Sequence, residues 1–240
     1  MTYYTYRFNK HSEKFLVTVD EYQGEEAINL SCTQLSERDF PKQSQRTKVV
    51  KDWIDFLEQN PKKLKKIYCV SRMNQKLFNA ICMQENLEEL YIKWGVYPDW
   101  KAIKNLKKLT HASLTAGAST KDISPIGNLT NLEVLGLSTV GATDYSALEN
   151  LTNLTVLRLD SGLDNLIKVD SLAFLENLTE LKDFQTTGFR LLNHDYSPIF
   201  SLKKLEMLAV NMPAYDQDVW GKQLAERMDY VPRNSHRNWR

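Results

Sequence analysis

The 240-residue sequence predicts an α/β solenoid, a curved parallel sheet backed by short 3₁₀ or extended segments and closed by a cap at each end. Three observations carry this expectation. Apolar pairs of the form L-x-L recur through the middle of the chain in a near-constant phase. Within each recurrence the apolar spacing changes from three residues to two. The segments before and after the recurrences lack the pattern and read as strand-plus-helix and helix respectively.

The N-terminal segment, Met1–Asn60, comes first. Tyr3–Phe8, Phe15–Val19 and Ala27–Cys32 are strand-like runs separated by polar or glycine-containing turns. Val50, Trp53, Ile54 and Leu57 follow i, i+3, i+4, i+7 spacing, an amphipathic helix that Pro61 ends. The segment reads as a cap or as a small strand-plus-helix domain. With no Gly/Ser/Pro linker after it, a cap fused to the arc is favoured.

The repeats follow over Pro61–Met212. The clearest copy runs Asp122-Ile-Ser-Pro-Ile-Gly-Asn-Leu-Thr-Asn-Leu-Glu-Val-Leu-Gly-Leu137. DYSALENLTNLTVLRL begins at Asp144 and DYSPIFSLKKLEMLAV at Asp195, with weaker copies from Asp99 and Ser171. The closing pairs are Ile67/Cys69, Leu90/Ile92, Ala112/Leu114, Leu135/Leu137, Leu157/Leu159, Phe184/Thr186 and Leu208/Val210, in steps of 23, 22, 23, 22, 27 and 24 residues. Ile123, Ile126, Leu129 and Leu132 are spaced by three, with Pro125 among them, which suits 3₁₀ or extended turns. Leu135 and Leu137 then alternate as in a strand. One unit cannot bury its leucine row alone, so units must stack and share a core.

These units resemble the leucine-rich repeat family, and within it the bacterial internalin-like type, whose copies read D-I-S-P-L-x-x-L-T-N-L-x-x-L-x-L. The resemblance implies a right-handed leucine-rich repeat solenoid of about seven units, with protein binding as its common use. Two departures stand out. Where the family usually has asparagine just past the strand, this chain has Gly95, Gly117, Val140, Gly162, Phe189 and Pro213, so the turns must satisfy their backbone otherwise, with glycine geometry one route. The first two units lack D-I-S-P, and the sixth carries extra residues over Gly162–Val169, read as an enlarged loop.

The last segment, 213–240, is expected to form a capping helix. Asp216 is placed to N-cap it, and Val219, Trp220, Leu224 and Met228 to share its apolar face. The tail carries Arg233, His236, Arg237 and Arg240, which a solvated chain end explains more simply than phosphate binding.

Alternation assigns side chains to the concave wall. The column before each pair is Lys66, Glu89, His111, Val134, Val156, Asp183 and Met207. The column within the pairs is Tyr68, Tyr91, Ser113, Gly136, Arg158, Gln185 and Ala209; the column after them is Val70, Lys93, Thr115, Ser138, Asp160, Thr187 and Asn211. Candidate partner-binding residues are Tyr68, Tyr91, Lys93, Trp94 and His111 toward the N-terminal end, and Arg158, Asp160, Asp183 and Gln185 further on. Aromatic side chains give large contact area at low entropic cost; packing against the cap is the competing role for Tyr68, Tyr91 and Trp94. Small residues between the groups predict a shallow dip.

Composition narrows the function class. With 31 Lys+Arg against 30 Asp+Glu, the chain has a net charge of +1, no electrostatic case for nucleic acid or an anionic membrane. The N-terminus lacks a signal-like apolar run and no stretch is long enough to span a bilayer, so a cytoplasmic location is expected. Cys32, Cys69 and Cys82 are odd in number and lack C-x-x-C spacing, hence buried free thiols. Neither metal-ligand spacing nor a phosphate-binding glycine loop occurs, so no metal or cofactor is expected. Four N-x-T matches recur only because the repeat does.

Glu89, His111 and Ser113 face one side in sequence like a carboxylate–His–Ser relay, but no nucleophile turn or oxyanion hole accompanies them. The expectation is a non-enzymatic module holding a protein partner on its concave face, such as a toxin or a complex subunit. The alternatives are a hydrolase or transferase in the first 60 residues with the repeats as substrate reader, and a self-associating structural solenoid.

Overall fold

The computed structural model describes residues 15–139, 141–161 and 166–228. The helices and strands in chain order are β1 (Phe15–Leu16), β2 (Ala27–Leu30), α1 (Gln43–Gln59), β3 (Lys66–Cys69), β4 (Met73–Asn74), α2 (Gln75–Ile81), β5 (Glu89–Ile92) and β6 (Gly95–Val96). There follow β7 (His111–Ala116), β8 (Val134–Thr139), β9 (Val156–Asp160), β10 (Ile167–Val169), β11 (Asp183–Thr187), β12 (Phe189–Leu191) and β13 (Met207–Ala209). The last are α3 (Ala214–Asp216) and α4 (Lys222–Met228), joined by a π-helical stretch, Gln217–Gly221.

Nine strands form one sheet in the order β1-β2-β3-β5-β7-β8-β9-β11-β13, and every pairing is parallel. The register is the one that the L-x-L phase predicts: Ile67 pairs with Leu90, Leu90 with Ala112, Ala112 with Leu135, Leu135 with Leu157, Leu157 with Phe184, and Phe184 with Leu208. A one-residue slip would turn the whole leucine row outward, which is why the register is firm. The residues named from Ile67 to Leu159 in the pairs expose 2% or less, and each buried Leu is worth about 1.5–3 kcal/mol.

The sheet extends further than the repeat pattern. Ile28 pairs with Ile67, and Phe15 with Asn29, so the N-terminal segment adds two strands to the same edge. Its helix α1 buries Val49, Trp53 and Leu57, while Val50 is only half-buried, because the face is set by i, i+4 steps from Val49. Of the N-terminal strand expectations, Tyr3–Phe8 lies outside the described residues, and Phe15–Val19 shortens to two residues before a 3₁₀ turn at Val19–Glu21.

Behind the strands, five 3₁₀ segments stack in a row: Lys101–Asn105, Ser124–Asn128, Ser146–Asn150, Ala173–Asn177 and Ser197–Ser201. The repeated Asp explains their start. Asp122 accepts from the Ser124 amide at 2.8 Å, Asp144 from Ser146 at 2.8 Å and Asp195 from Ser197 at 2.9 Å; Ser171 does the same for Ala173. In the two units without D-I-S-P the backing segments are α1 and α2, full α-helices that pack on each other.

Asparagine does link successive coils, but from the L-T-N-L element before the strand. Asn86 donates to the Lys62 carbonyl, Asn131 to Lys107 and Asn153 to Thr130, at 2.7–2.8 Å. Past the strands, buried tyrosines do part of the work. Tyr97 donates to the Thr115 carbonyl at 2.9 Å, and Tyr145 meets the Thr139 hydroxyl at 2.7 Å. Glycine does the rest: a Cβ on Gly95 would stand 2.4 Å from the Met73 carbonyl oxygen, and one on Gly141 2.3 Å from that of Thr120. The enlarged loop of the sixth unit contains β10, which pairs with β12.

The C-terminal cap differs from expectation. Pro213 precedes α3, and Asp216 lies inside the helical stretch, 4% exposed. It accepts from the Tyr196 hydroxyl at 3.3 Å and faces His194 Nδ1 at 3.1 Å. The π-helical stretch rotates the face, so Val219 is 55% exposed while Leu224 is buried. Among the described residues no helix is long and apolar enough to cross a membrane.

Candidate functional site

The concave wall is built from strand residues that alternate with the buried pairs. Ladder pairs Tyr68–Tyr91, Tyr91–Ser113, Ser113–Gly136, Gly136–Arg158 and Arg158–Gln185 run across it in register. The columns therefore stand as the alternation predicts. Their solvent exposure does not. Tyr68 exposes 3%, Asp183 2% and Gln185 3%, whereas Lys93 is exposed and Tyr91 and His111 are half-buried.

At the N-terminal end Glu89 is the hub. Lys66 Nζ donates to its Oε1 at 2.5 Å and the Tyr68 hydroxyl to its Oε2 at 2.9 Å. Burial alone would raise the Glu89 carboxyl, but the hydrogen bonds from Lys66 and Tyr68 and the charge of Lys66 outweigh it and hold the group below its usual value. Burial lowers the neighbouring His111 despite the pull of Glu89 and Glu133, and its Nδ1 sits 2.8 Å from the Thr110 hydroxyl. Both carboxylate oxygens of Glu89 thus engage groups outside the relay that its position beside His111 and Ser113 evokes in sequence.

Trp94 does not join this group. It lies at the turn beyond β5, where the Arg72 guanidinium covers its ring at 5.2 Å from the centroid. Arg72 is held there through Gln34, which accepts from its amide at 3.0 Å, and Thr33, whose hydroxyl donates to its carbonyl at 2.6 Å. Sequence alternation could not find Arg72, because β4 and its loop interrupt the column.

Further along, Arg158 pairs with Asp160 at 3.0 Å, and Gln185 donates to Asp183 at 2.7 Å. Burial raises the Asp160 carboxyl, and Arg158 counters only part of that. Between the two ends lies a depression of about 250 Å³, floored by Ser113, Gly136 and Ser138, with Lys93 on one rim and Arg158 and Asp160 on the other. Ser161 also lines it, a position the repeat columns end before. A broader hollow of about 620 Å³ follows the loop edge, but its Asn131, Asn153, Thr110 and Thr155 bond to neighbouring coils. Among the described residues no cluster of His, Cys, Asp or Glu is arranged to hold a metal ion.

A parallel sheet with one strand per coil, backed by stacked 3₁₀ turns, defines a leucine-rich repeat solenoid. Solved structures agree on the type. The chain is similar to internalin C2 of Listeria monocytogenes, at 21% identity over 65% of this chain and 66% of that one, with a TM-score of 0.53. It is also similar to a leucine-rich repeat protein of Leptospira interrogans, at 20% identity over 72% of this chain and 43% of that one, with a TM-score of 0.51. The chain thus has the internalin-like leucine-rich repeat fold, and spans less than two thirds of the length of each of these two structures. No family model matches the sequence, and no curated protein does.

Proposed function

We propose that this chain is a non-enzymatic protein-interaction module that holds a polypeptide partner on its concave wall. One observation carries the reading: the in-register wall leaves a depression with a small-residue floor between a cationic rim at Lys93 and the Arg158–Asp160 pair. Such a floor admits a partner's side chain, while the rims offer hydrogen bonds of both signs. A wall about 38 Å across, from nine strands at about 4.8 Å spacing, is long enough for a standard interface. The near-zero net charge points to shape and polar matching rather than charge steering.

The partner class is an intracellular protein, such as a toxin to be neutralised or a subunit to be scaffolded. Three buried free thiols at Cys32, Cys69 and Cys82 are compatible with a reducing cytoplasm. Affinity capture followed by mass spectrometry tests the reading. The wild type and the convex-face variant Glu149→Lys should recover the same protein, and Ser138→Trp, which fills the depression, should lose it. Equal recovery by all three would overturn the assignment of this wall.

A further inference from the structure

The loop edge beyond β3 and β5 carries a cation–aromatic pair that the repeat does not require. The Arg72 guanidinium covers the Trp94 ring at 5.2 Å from the centroid, and both residues are exposed, Trp94 by 38%. The backbone under the pair is fixed on each side. Gln34 accepts from the Arg72 amide and Thr33 donates to the Arg72 carbonyl, while the Met73 amide donates to the Trp94 carbonyl at 2.9 Å. Beside them β4 and β6 run in register, with Gly95 packed too closely against Met73 for any side chain.

Stacking uses only the face of a guanidinium and leaves its N–H edge available to a carboxylate. Among the described residues no carboxylate lies within ion-pair reach of Arg72 or of Lys93, which precedes Trp94 and forms one rim of the depression. The wall's own acids are engaged elsewhere: Glu89 by Lys66 and Tyr68, Asp160 by Arg158.

We propose that the Arg72–Trp94 stack, together with Lys93, anchors an acidic side chain, Asp or Glu, of the polypeptide that the wall holds. The proposal rests on the wall being a polypeptide-binding face. Charge argues for this occupant. Two cations without a carboxylate stand at one shoulder of the wall, while the net charge of +1 gives the chain no general pull on a polyanion. Trp94 and Val96, the latter 43% exposed, offer apolar contact to the methylene groups behind the carboxylate. A guanidinium already stacked and held in place loses little freedom on binding. Spacing follows from the strand order. The floor of the depression on β8 stands three strand spacings from β3, the strand that leads to Arg72, about 14 Å or about four extended residues. A segment that fills the depression therefore reaches the anchor with an acid about four residues away.

A phage-displayed library of random twelve-residue peptides, panned on the wild-type protein, tests this. The recovered peptides should carry Asp or Glu at one fixed position. Changing that residue to Asn or Gln should weaken binding to the wild type about tenfold and to Arg72→Gln less than about twofold, the non-additivity of a direct contact. Arg72→Lys, which keeps the charge and loses the fork, should fall between. An unchanged urea midpoint reports that each variant has folded. The wild type alone gives a second measure: raising NaCl from about 50 to about 500 mM should weaken the acidic peptide more than its amide counterpart. An apolar or basic fixed position, additive losses, or equal salt dependence would each overturn the proposal. So would a phosphoserine peptide that binds about tenfold tighter than the acidic one, or displacement by a single-stranded oligonucleotide. Ser138→Trp separates the two readings. Peptides lost on Ser138→Trp but not on Arg72→Gln sink the anchor and leave the wall reading standing; peptides lost only on Arg72→Gln do the reverse. A library that yields no binder sensitive to either variant overturns both.

Discussion

Asn153 Nδ2 donates to the carbonyl oxygen of Thr130 at 2.8 Å, tying one coil of the solenoid to the coil before it. Asn131 and Asn86 make the equivalent bond one and three coils earlier, at Lys107 and Lys62. In the intervening coil Lys108 stands at that position and reaches the Asn86 amide oxygen instead. The ladder is therefore discontinuous, and each rung acts between nearest neighbours only. Asn153→Ala should cost about 0.5–1 kcal/mol in urea unfolding, the low end for a hydrogen bond at an exposed edge. A loss above about 2 kcal/mol would show that the rung supports more than its own pair of coils.

Gly95 is required by contact rather than by backbone angle. The Met73 carbonyl and side chain leave no room for a Cβ, since β4 and β6 run side by side at that point. Gly95→Ala should destabilise by about 1–3 kcal/mol, as over-packing does, and shift the Met73 amide in NMR spectra. Gly24, with φ +104° and open space around it, should respond to Ala through backbone strain alone, with no such shift at Met73.

The Asp216 carboxylate secures the C-terminal cap. Burial and the Asp216 charge together push the Tyr196 hydroxyl well above its usual pKa, so it stays a donor. Asp216→Ala leaves that buried hydroxyl without its acceptor and should cost about 1–3 kcal/mol. Tyr196→Phe leaves Asp216 facing His194 and should cost about 1 kcal/mol. Trp220, whose indole donates to the His194 carbonyl at 2.8 Å, reports the event as a red-shifted emission in Asp216→Ala. The reverse order of costs would reject this account.

Glu89 should make stability depend on pH in one direction. Its folded pKa lies below the ordinary value of 4.5, so its contribution is present above that value and lost as pH falls through the folded one. Glu89→Gln should therefore be less stable than wild type by about 1–2 kcal/mol at neutral pH, with the gap closing under acid. Urea midpoints at pH 7 and at about pH 3 measure this; a gap that widens in acid would contradict the sign.

The strand register was legible because leucines at period two stack only one way, and Ile67 through Leu159 fell where their spacing puts them. The Asp that heads the units from Asp99, Asp122, Asp144 and Asp195 was visible as a motif, yet its purpose, accepting the amide two residues on, appears only once the 3₁₀ start is seen. Other features left weaker marks. Val219 fits a helical face in sequence and is exposed because a π-helical stretch breaks the 3.6-residue phase. Trp94 sits beside Lys93 in sequence but stacks on Arg72, since the chain turns between them.

What the sequence determined by itself was periodicity: one strand per coil, which side chains are buried, and which stand in line on the opposite face. Those properties are local, repeated every 22 to 27 residues, and each copy reinforces the others. Only the tertiary structure decided how open that face is. The burial of Tyr68 and Asp183 depends on the contacts that each makes across the wall, such as the bond from the Tyr68 hydroxyl to Glu89 and that from Gln185 to Asp183, which periodicity alone does not specify. The same holds for the caps, where single residues such as Asp216 and Gly95 act through contacts made once.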